Sequence, residues 1–287
     1  MHLHFRSRIV LCLFVLSVGA LVSSCTQTDD HQTVIADVVY GHKDGMALTF
    51  DVLLPDDPTN GAGILYMVSG GWVSRWSPPE RIRSGFEYLL EKGFTVFTVR
   101  HGSSPKFKVP DAVSDVRRAV RYIRLHSDEF GIEADRLGVY GGSAGGHLSL
   151  MLGVASDDGN SEAEDDVLRM SNRVAAVVAY YPPVDLRGIT GANERFPALE
   201  FDADLAQEIS PILFVSSDDP PSLMIHGDQD DLVPLRSSEA IYQAFQEYDV
   251  DTEMIVLEGA GHGFRGDHLD SARAATVAWF EKYLVDK

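Results

Sequence analysis

Leu137-Gly-Val-Tyr-Gly-Gly-Ser-Ala-Gly-Gly146 is the stretch whose reading decides the fold. Strand-like residues Leu137–Tyr140 run into a turn of small residues, and the helix-compatible segment His147–Leu152 follows at once. Gly141-Gly142-Ser143-Ala144-Gly145 fits the pattern G-x-S-x-G. A serine at so sharp a strand-to-helix turn sits in a cramped backbone, so the residues two before and two after it must lack bulk. The turn lifts the Ser143 hydroxyl clear of its neighbours. It also sets the Ala144 amide at a helix N-terminus, where it can meet developing negative charge. The competing reading is a glycine-rich turn that cradles a phosphate. That would need a lysine followed by serine or threonine at the helix start, whereas the chain continues Gly146-His147-Leu148.

On either side of this stretch, apolar runs alternate with helix-length segments. The runs are Ile64–Val68, Phe94–Val99, Leu137–Tyr140, Val174–Tyr180, Ser222–His226 and Glu253–Leu257. Helices are expected over Pro79–Lys92, Asp111–Asp128, the segment after Ser143, Ser237–Tyr248 and Asp270–Leu284. Val34–Tyr40 and Met46–Leu54 read as an antiparallel hairpin joined by Gly41–Gly45. The pattern predicts an α/β fold, an eight-stranded mostly parallel sheet with helices on both faces. Two stretches break the alternation. Ala155–Arg173 is an acidic insertion that reads as a solvated loop or short helix, and Pro182–Pro221 is a longer excursion expected to form a small or minimal cap or one wall of a pocket.

With 287 residues and 45% hydrophobic content, the chain can build one large core. A net charge of -19, from 24 basic and 43 acidic residues, argues against nucleic acid as a partner and against strongly anionic substrates. Arg6 and Arg8 precede the apolar run Ile9–Val22, which is short for a bilayer span. Residues 1–25 read as a signal peptide whose end, Val22-Ser23-Ser24-Cys25, resembles the bacterial lipoprotein box with valine where leucine is usual. Lipidation of Cys25 would anchor the chain to a membrane, in the bacterial periplasm or at the cell surface, and ordinary signal cleavage is the alternative. Residues 26–33 form a polar tether, and 34–287 the α/β domain. With Cys12 inside the removed segment, one cysteine remains and no internal disulfide is expected.

A nucleophilic serine needs a base, and the base needs an orienting carboxylate. After the seventh strand the chain reads His226-Gly227-Asp228-Gln229-Asp230-Asp231, and after the eighth Gly261-His262-Gly263-Phe264. Both stretches fall at the carboxyl edge of the sheet with Ser143, in the order Ser, Asp, His. Asp228, Asp230, Asp231 and the more remote Asp185 all compete for the acid. His226, at a strand end, reads as structural, and His268 as an exposed residue of the following loop or helical turn.

Taken together, Gly141–Gly145, His226–Asp230 through Val233-Pro234, and Gly261–Phe264 resemble the α/β-hydrolases of the esterase and lipase branch. That branch includes carbohydrate-ester hydrolases such as acetylxylan and feruloyl esterases. The resemblance covers nearly all of residues 34–285. It implies a serine esterase without metal or organic cofactor, acting on small-molecule or polysaccharide esters, with Ser143 as nucleophile, His262 as base and Asp230 as acid. It does not imply an oligomeric state. The family often has His-Gly-Gly-Gly after strand three, where this chain has Val68-Ser69-Gly70-Gly71-Trp72. Gly71 and Ala144 are expected to donate to the oxyanion, with Gly70 or Trp72 as further candidates, and Trp72 is expected to line a substrate subsite. A peptidase of the prolyl oligopeptidase type and a non-catalytic binding protein are the alternatives. Residues 26–60 are too few for the propeller that usually precedes the former.

Overall fold

The computed structural model describes residues 33–286. The expected signal segment, Cys25 and most of the polar tether lie outside the described residues. Eight strands form one sheet: β1 (Val34–Lys43), β2 (Met46–Leu53), β3 (Gly63–Met67), β4 (Thr95–Val99), β5 (Leu137–Gly142), β6 (Ala176–Tyr180), β7 (Ser222–Gly227) and β8 (Thr252–Leu257). Their order is β1-β2-β4-β3-β5-β6-β7-β8. β1, β2 and β4 pair antiparallel, and β3 through β8 are parallel. The β1–β2 turn is tighter than Gly41–Gly45. Both strands continue to the pair Lys43–Met46, leaving Asp44-Gly45 as the turn, both with positive φ.

Side chains alternate across the sheet with a period of two and meet helices on both faces. Leu65, Met67 and Val139 pack with α3 (Val109–Leu125), α4 (Ala144–Val154) and α6 (Arg236–Glu247). Ile64 and Tyr140 face the opposite way, toward α1 (Pro79–Arg83), α2 (Glu87–Leu90) and α7 (Asp267–Phe280), with Phe86, Leu89, Trp279 and Phe280 filling that core. The helix expected over Pro79–Lys92 is broken by a 3-10 turn, Ser84–Phe86, whose middle residue is the poor helix former Gly85. α3 begins before the expected Asp111, with Pro110 in its first turn. The Asp111 carboxylate accepts the Lys108 N–H at 2.9 Å, and the helix ends at Leu125 ahead of a 3-10 turn over Ser127–Phe130.

The two irregular stretches are more ordered than their composition suggests. The acidic insertion contains α5 (Asp166–Arg169) and is clasped to α3, with Arg121 gripping both oxygens of Asp157 at 2.6 and 2.7 Å and Arg118 bonding Asp165 at 2.6 Å. The Pro182–Pro221 excursion is a chain of 3-10 turns, Pro197–Leu199, Ala203–Ile209 and Pro211–Leu213. It walls the site without adding a separate cap domain.

The chain leaves β3 for β4 on one side and later returns to β5 on the other. That reversal of strand order opens a crevice at the carboxyl edge, where the loops after β3, β5, β7 and β8 converge.

Candidate active site

β5 ends at Gly142, and Ser143 follows with φ 56° and ψ −120°. For a residue with a side chain this is a strained conformation, costing on the order of 1–3 kcal/mol, and the surrounding packing enforces it. A Cβ on Gly141 would lie 2.7 Å from the Gly145 backbone, and one on Gly145 would lie 2.8 Å from the Met67 carbonyl. The Ser143 N–H donates to Tyr180 O at 2.9 Å, and the Ser143 carbonyl accepts the His147 N–H at 2.9 Å to open α4.

The loops after β7 and β8 bring Asp230 and His262 to Ser143. A Cβ on Gly227 would fall 2.1 Å from Ala260 O, so only glycine lets the two loops approach this closely. His262 Nε2 lies 2.9 Å from Ser143 Oγ, and His262 Nδ1 lies 2.7 Å from Asp230 Oδ2. With Nδ1–H donating to the carboxylate, Nε2 is left to accept the serine proton. The Asp230 side chain is wholly buried, and its Oδ1 accepts the N–H groups of Leu232 and Val233 at 2.9 Å each.

None of the rival carboxylates bonds His262, although Asp185 lines the smaller cavity. Asp228 accepts the Gly259 N–H at 2.7 Å and braces the two loops. Asp231 is exposed, and Asp185 forms a two-point pair with Arg187. His226 is buried; its Nε2–H donates to Val233 O at 2.8 Å and its Nδ1 accepts the Ser238 hydroxyl at 2.7 Å. Burial lowers its pKa and keeps the ring neutral. His268 bonds Glu258 O at 3.1 Å in the first turn of α7. Tyr181, which sequence reasoning passed over, sets its ring 4.6 Å from that of His262, and burial pushes its phenol up to about 12.

The loop after β3 corrects one expectation. The Gly70 N–H donates to Val73 O at 3.1 Å and the Val73 N–H returns the bond, so Gly70 has no donor to offer an oxyanion. This small bridge turns the chain through left-handed Gly71 (φ 59°) and Trp72 (φ 57°). The N–H groups of Gly71 and Ala144 carry no hydrogen bond to any other described residue. Trp72 lines the smaller cavity at Ser143 with 5% of its surface exposed. Its indole packs edge-on to His147 and donates to His147 Nδ1 at 3.4 Å, while His147 Nε2 donates to Ile209 O at 2.8 Å. Burial lowers the His147 pKa to about 4. Trp72 therefore ties this loop to α4.

Two cavities meet at Ser143. The larger, about 820 Å³, is walled by Tyr66, Tyr88, Tyr140 and His262, with Arg75 and Arg273. The smaller, about 410 Å³, is walled by Pro183, Val184, Ile189, Leu199 and Val233. Both are bounded by Gly71, Ser143, Leu232 and Phe196. Phe196, from the excursion, had no local signal in the sequence; a Cβ on Gly71 would meet its ring at 3.0 Å.

This strand order, with serine, carboxylate and histidine on the loops after β5, β7 and β8, defines a protein of the α/β-hydrolase class. The BD-FAE family model matches residues 50–245, well over half of the sequence, and the chain belongs to that family. It is 29% identical over 272 residues to the probable carboxylic ester hydrolase LipM of Mycobacterium tuberculosis, and 30% identical over 257 residues to esterase LipC of the same organism. These alignments cover 87% and 84% of this chain, which spans only 60% and 62% of the two relatives' lengths. Among solved structures, a truncated carbohydrate esterase from gut microbiota superposes with a TM-score of 0.75 at 25% identity, over 90% of this chain and 99% of that one.

Proposed function

We propose that the chain is a serine carboxylic ester hydrolase working through an acyl-enzyme on Ser143. The observation that carries this reading is the hydrogen-bonded series Ser143–His262–Asp230, facing the unbonded amides of Gly71 and Ala144 across one cleft. Esterase relatives of matching fold support it. Ser143 Oγ attacks the ester carbonyl while its proton passes to His262 Nε2. The Gly71 and Ala144 N–H groups receive the resulting oxyanion, and Asp230 stabilises the imidazolium. Collapse breaks the bond to the alcohol oxygen, which leaves with the His262 proton. Water then repeats the sequence: His262 takes its proton, hydroxide adds to the acyl carbon, and Ser143 departs reprotonated. Each oxyanion donor is worth about 10²–10³ in rate and the general base about 10²–10⁴.

The substrates we propose are acyl esters of polysaccharide, acetyl or feruloyl. The carbohydrate esterase neighbour and the size of the larger cleft favour them. A panel from acetyl to long acyl esters, with acetylated xylan and methyl ferulate, tests the reading against Ser143→Ala. The parent should hydrolyse some of the panel at least about 10⁴-fold faster than the variant. Equal rates on p-nitrophenyl acetate would sink the mechanism.

We further propose export to the periplasm or cell surface with a lipid on Cys25. The Arg6/Arg8 start, the Ile9–Val22 run and the box-like Val22–Cys25 support it. Cys25→Ser should move the protein from the membrane to the soluble fraction, and a parent already soluble in cells contradicts the anchor.

A further inference from the structure

We propose that the alcohol moiety of the preferred ester carries a negative charge, a carboxylate or a sulfate, bound by Arg273 and Arg75 in the larger cleft. The inference rests on the esterase reading above and names the substrate of that same site.

His262 decides which cavity receives which half of the ester. The departing alkoxide must take its proton from His262 Nε2, so the alcohol leaves on the side of that ring. His262 lines the 820 Å³ cleft and does not line the 410 Å³ one. The acyl group therefore points into the smaller cavity, and the alcohol occupies the larger.

The charge of the larger cleft is the reverse of the chain's. The sequence holds 43 acidic residues against 24 basic ones, yet no Asp or Glu lines this cleft and two arginines do. Several described arginines are matched by carboxylates, Arg83 by Asp56 and Glu87, Arg100 by Asp51 and Asp37, Arg173 by Asp158 and Asp218, and others, such as Arg117 and Arg124, are spent on backbone carbonyls. Arg273 has no carboxylate within ion-pair distance among the described residues. Its guanidinium lies over the Tyr88 ring at 5.0 Å and makes one bond, to Gly85 O at 3.2 Å. Arg75 is exposed and makes no ion pair or hydrogen bond to another described residue. The ring beneath Arg273 holds its donor fork in place, so less side-chain entropy is lost when an oxyacid group binds.

The net charge of -19 repels an anion only over distances that salt screens, about 8 Å at physiological ionic strength. Charges lining the cleft act within that distance, so they outweigh the general excess.

Acetyl esters that differ only in the alcohol test this on the full chain: 4-acetoxybenzoate, 4-acetoxybenzenesulfonate and the neutral 4-acetoxybenzamide. The readout is the ratio of kcat/KM for each anion to that for the amide, compared between parent and variants so that leaving-group reactivity cancels. In Arg75→Gln/Arg273→Gln the ratio should fall about tenfold, mainly through KM. Added salt should erode the parent's ratio and leave the double variant's flat. Arg273→Gln can also loosen the Gly85 turn, so Arg75→Gln alone provides a second reading, with an expected loss of about threefold. Whichever anion depends more on the arginines identifies carboxylate or sulfate. A ratio that none of the variants changes overturns the proposal, whereas failure to hydrolyse any of the three esters would count against the esterase reading itself.

Discussion

Two regions meet at Ser143 from opposite sides, and their hydrogen bonding differs. The loops after β7 and β8 are cross-braced around the carboxylate. Asp230 receives His262, Leu232 and Val233, His226 is held at both nitrogens, and Asp228 clips Gly259. The loop after β3 is strained, with Gly71 and Trp72 left-handed and the Gly71 amide unbonded. The contrast follows the lifetime of the charge each region serves. A buried carboxylate costs several kcal/mol unless it is bonded. An oxyanion exists only during reaction, so its donors must be kept vacant until then.

The largest effect expected from this contrast is at the acid. Asp230→Asn should lower kcat by about 10⁴ with the fold intact, while Asp228→Asn, which loses only a turn brace, should stay within about tenfold. A larger loss at Asp228 would break the assignment. Next comes the vacant side. Gly71→Ala strains a residue at φ 59° and pushes on Phe196, so kcat should fall about 10²-fold while KM changes little. Full activity in that variant would leave Gly71 without a role.

The smallest effect sharpens how the strained loop is held. His147 has a pKa of about 4 against an ordinary 6.5, so the unfolded chain takes up the proton first as pH falls. Stability is therefore lost progressively from pH 6.5 to pH 4, up to about 3 kcal/mol, with no contribution above that window. Urea midpoints at pH 7 and pH 5 should converge in His147→Gln relative to the parent. An unchanged difference would mean that other groups carry the acid sensitivity.

The sheet, the serine turn and the order of the edge loops were legible because each has a local signature: period-two alternation, glycines flanking a serine, and Asp and His after consecutive strands. The choice of Asp230 over Asp228 was not legible from residue type, since it depends on a bond from Gly259, far away in sequence. Gly70 misled because glycine composition does not reveal that its amide is paired with Val73. Phe196 and Arg273 reach the site from the excursion and the last helix, and no local pattern marks them.

Phe196 also bears on how the protein can change. Apart from Phe196, the excursion residues at the site, Pro183, Val184, Asp185, Ile189 and Leu199, border the smaller cavity alone, so on the proposed reading substitutions there can retune the acceptable acyl group without disturbing the reacting atoms. At Phe196 the same side chain borders both cavities and rests against Gly71. Its replacement would alter acyl choice, alcohol choice and rate in one step. Selectivity in this chain is therefore open to gradual evolution everywhere along that wall except at one aromatic ring.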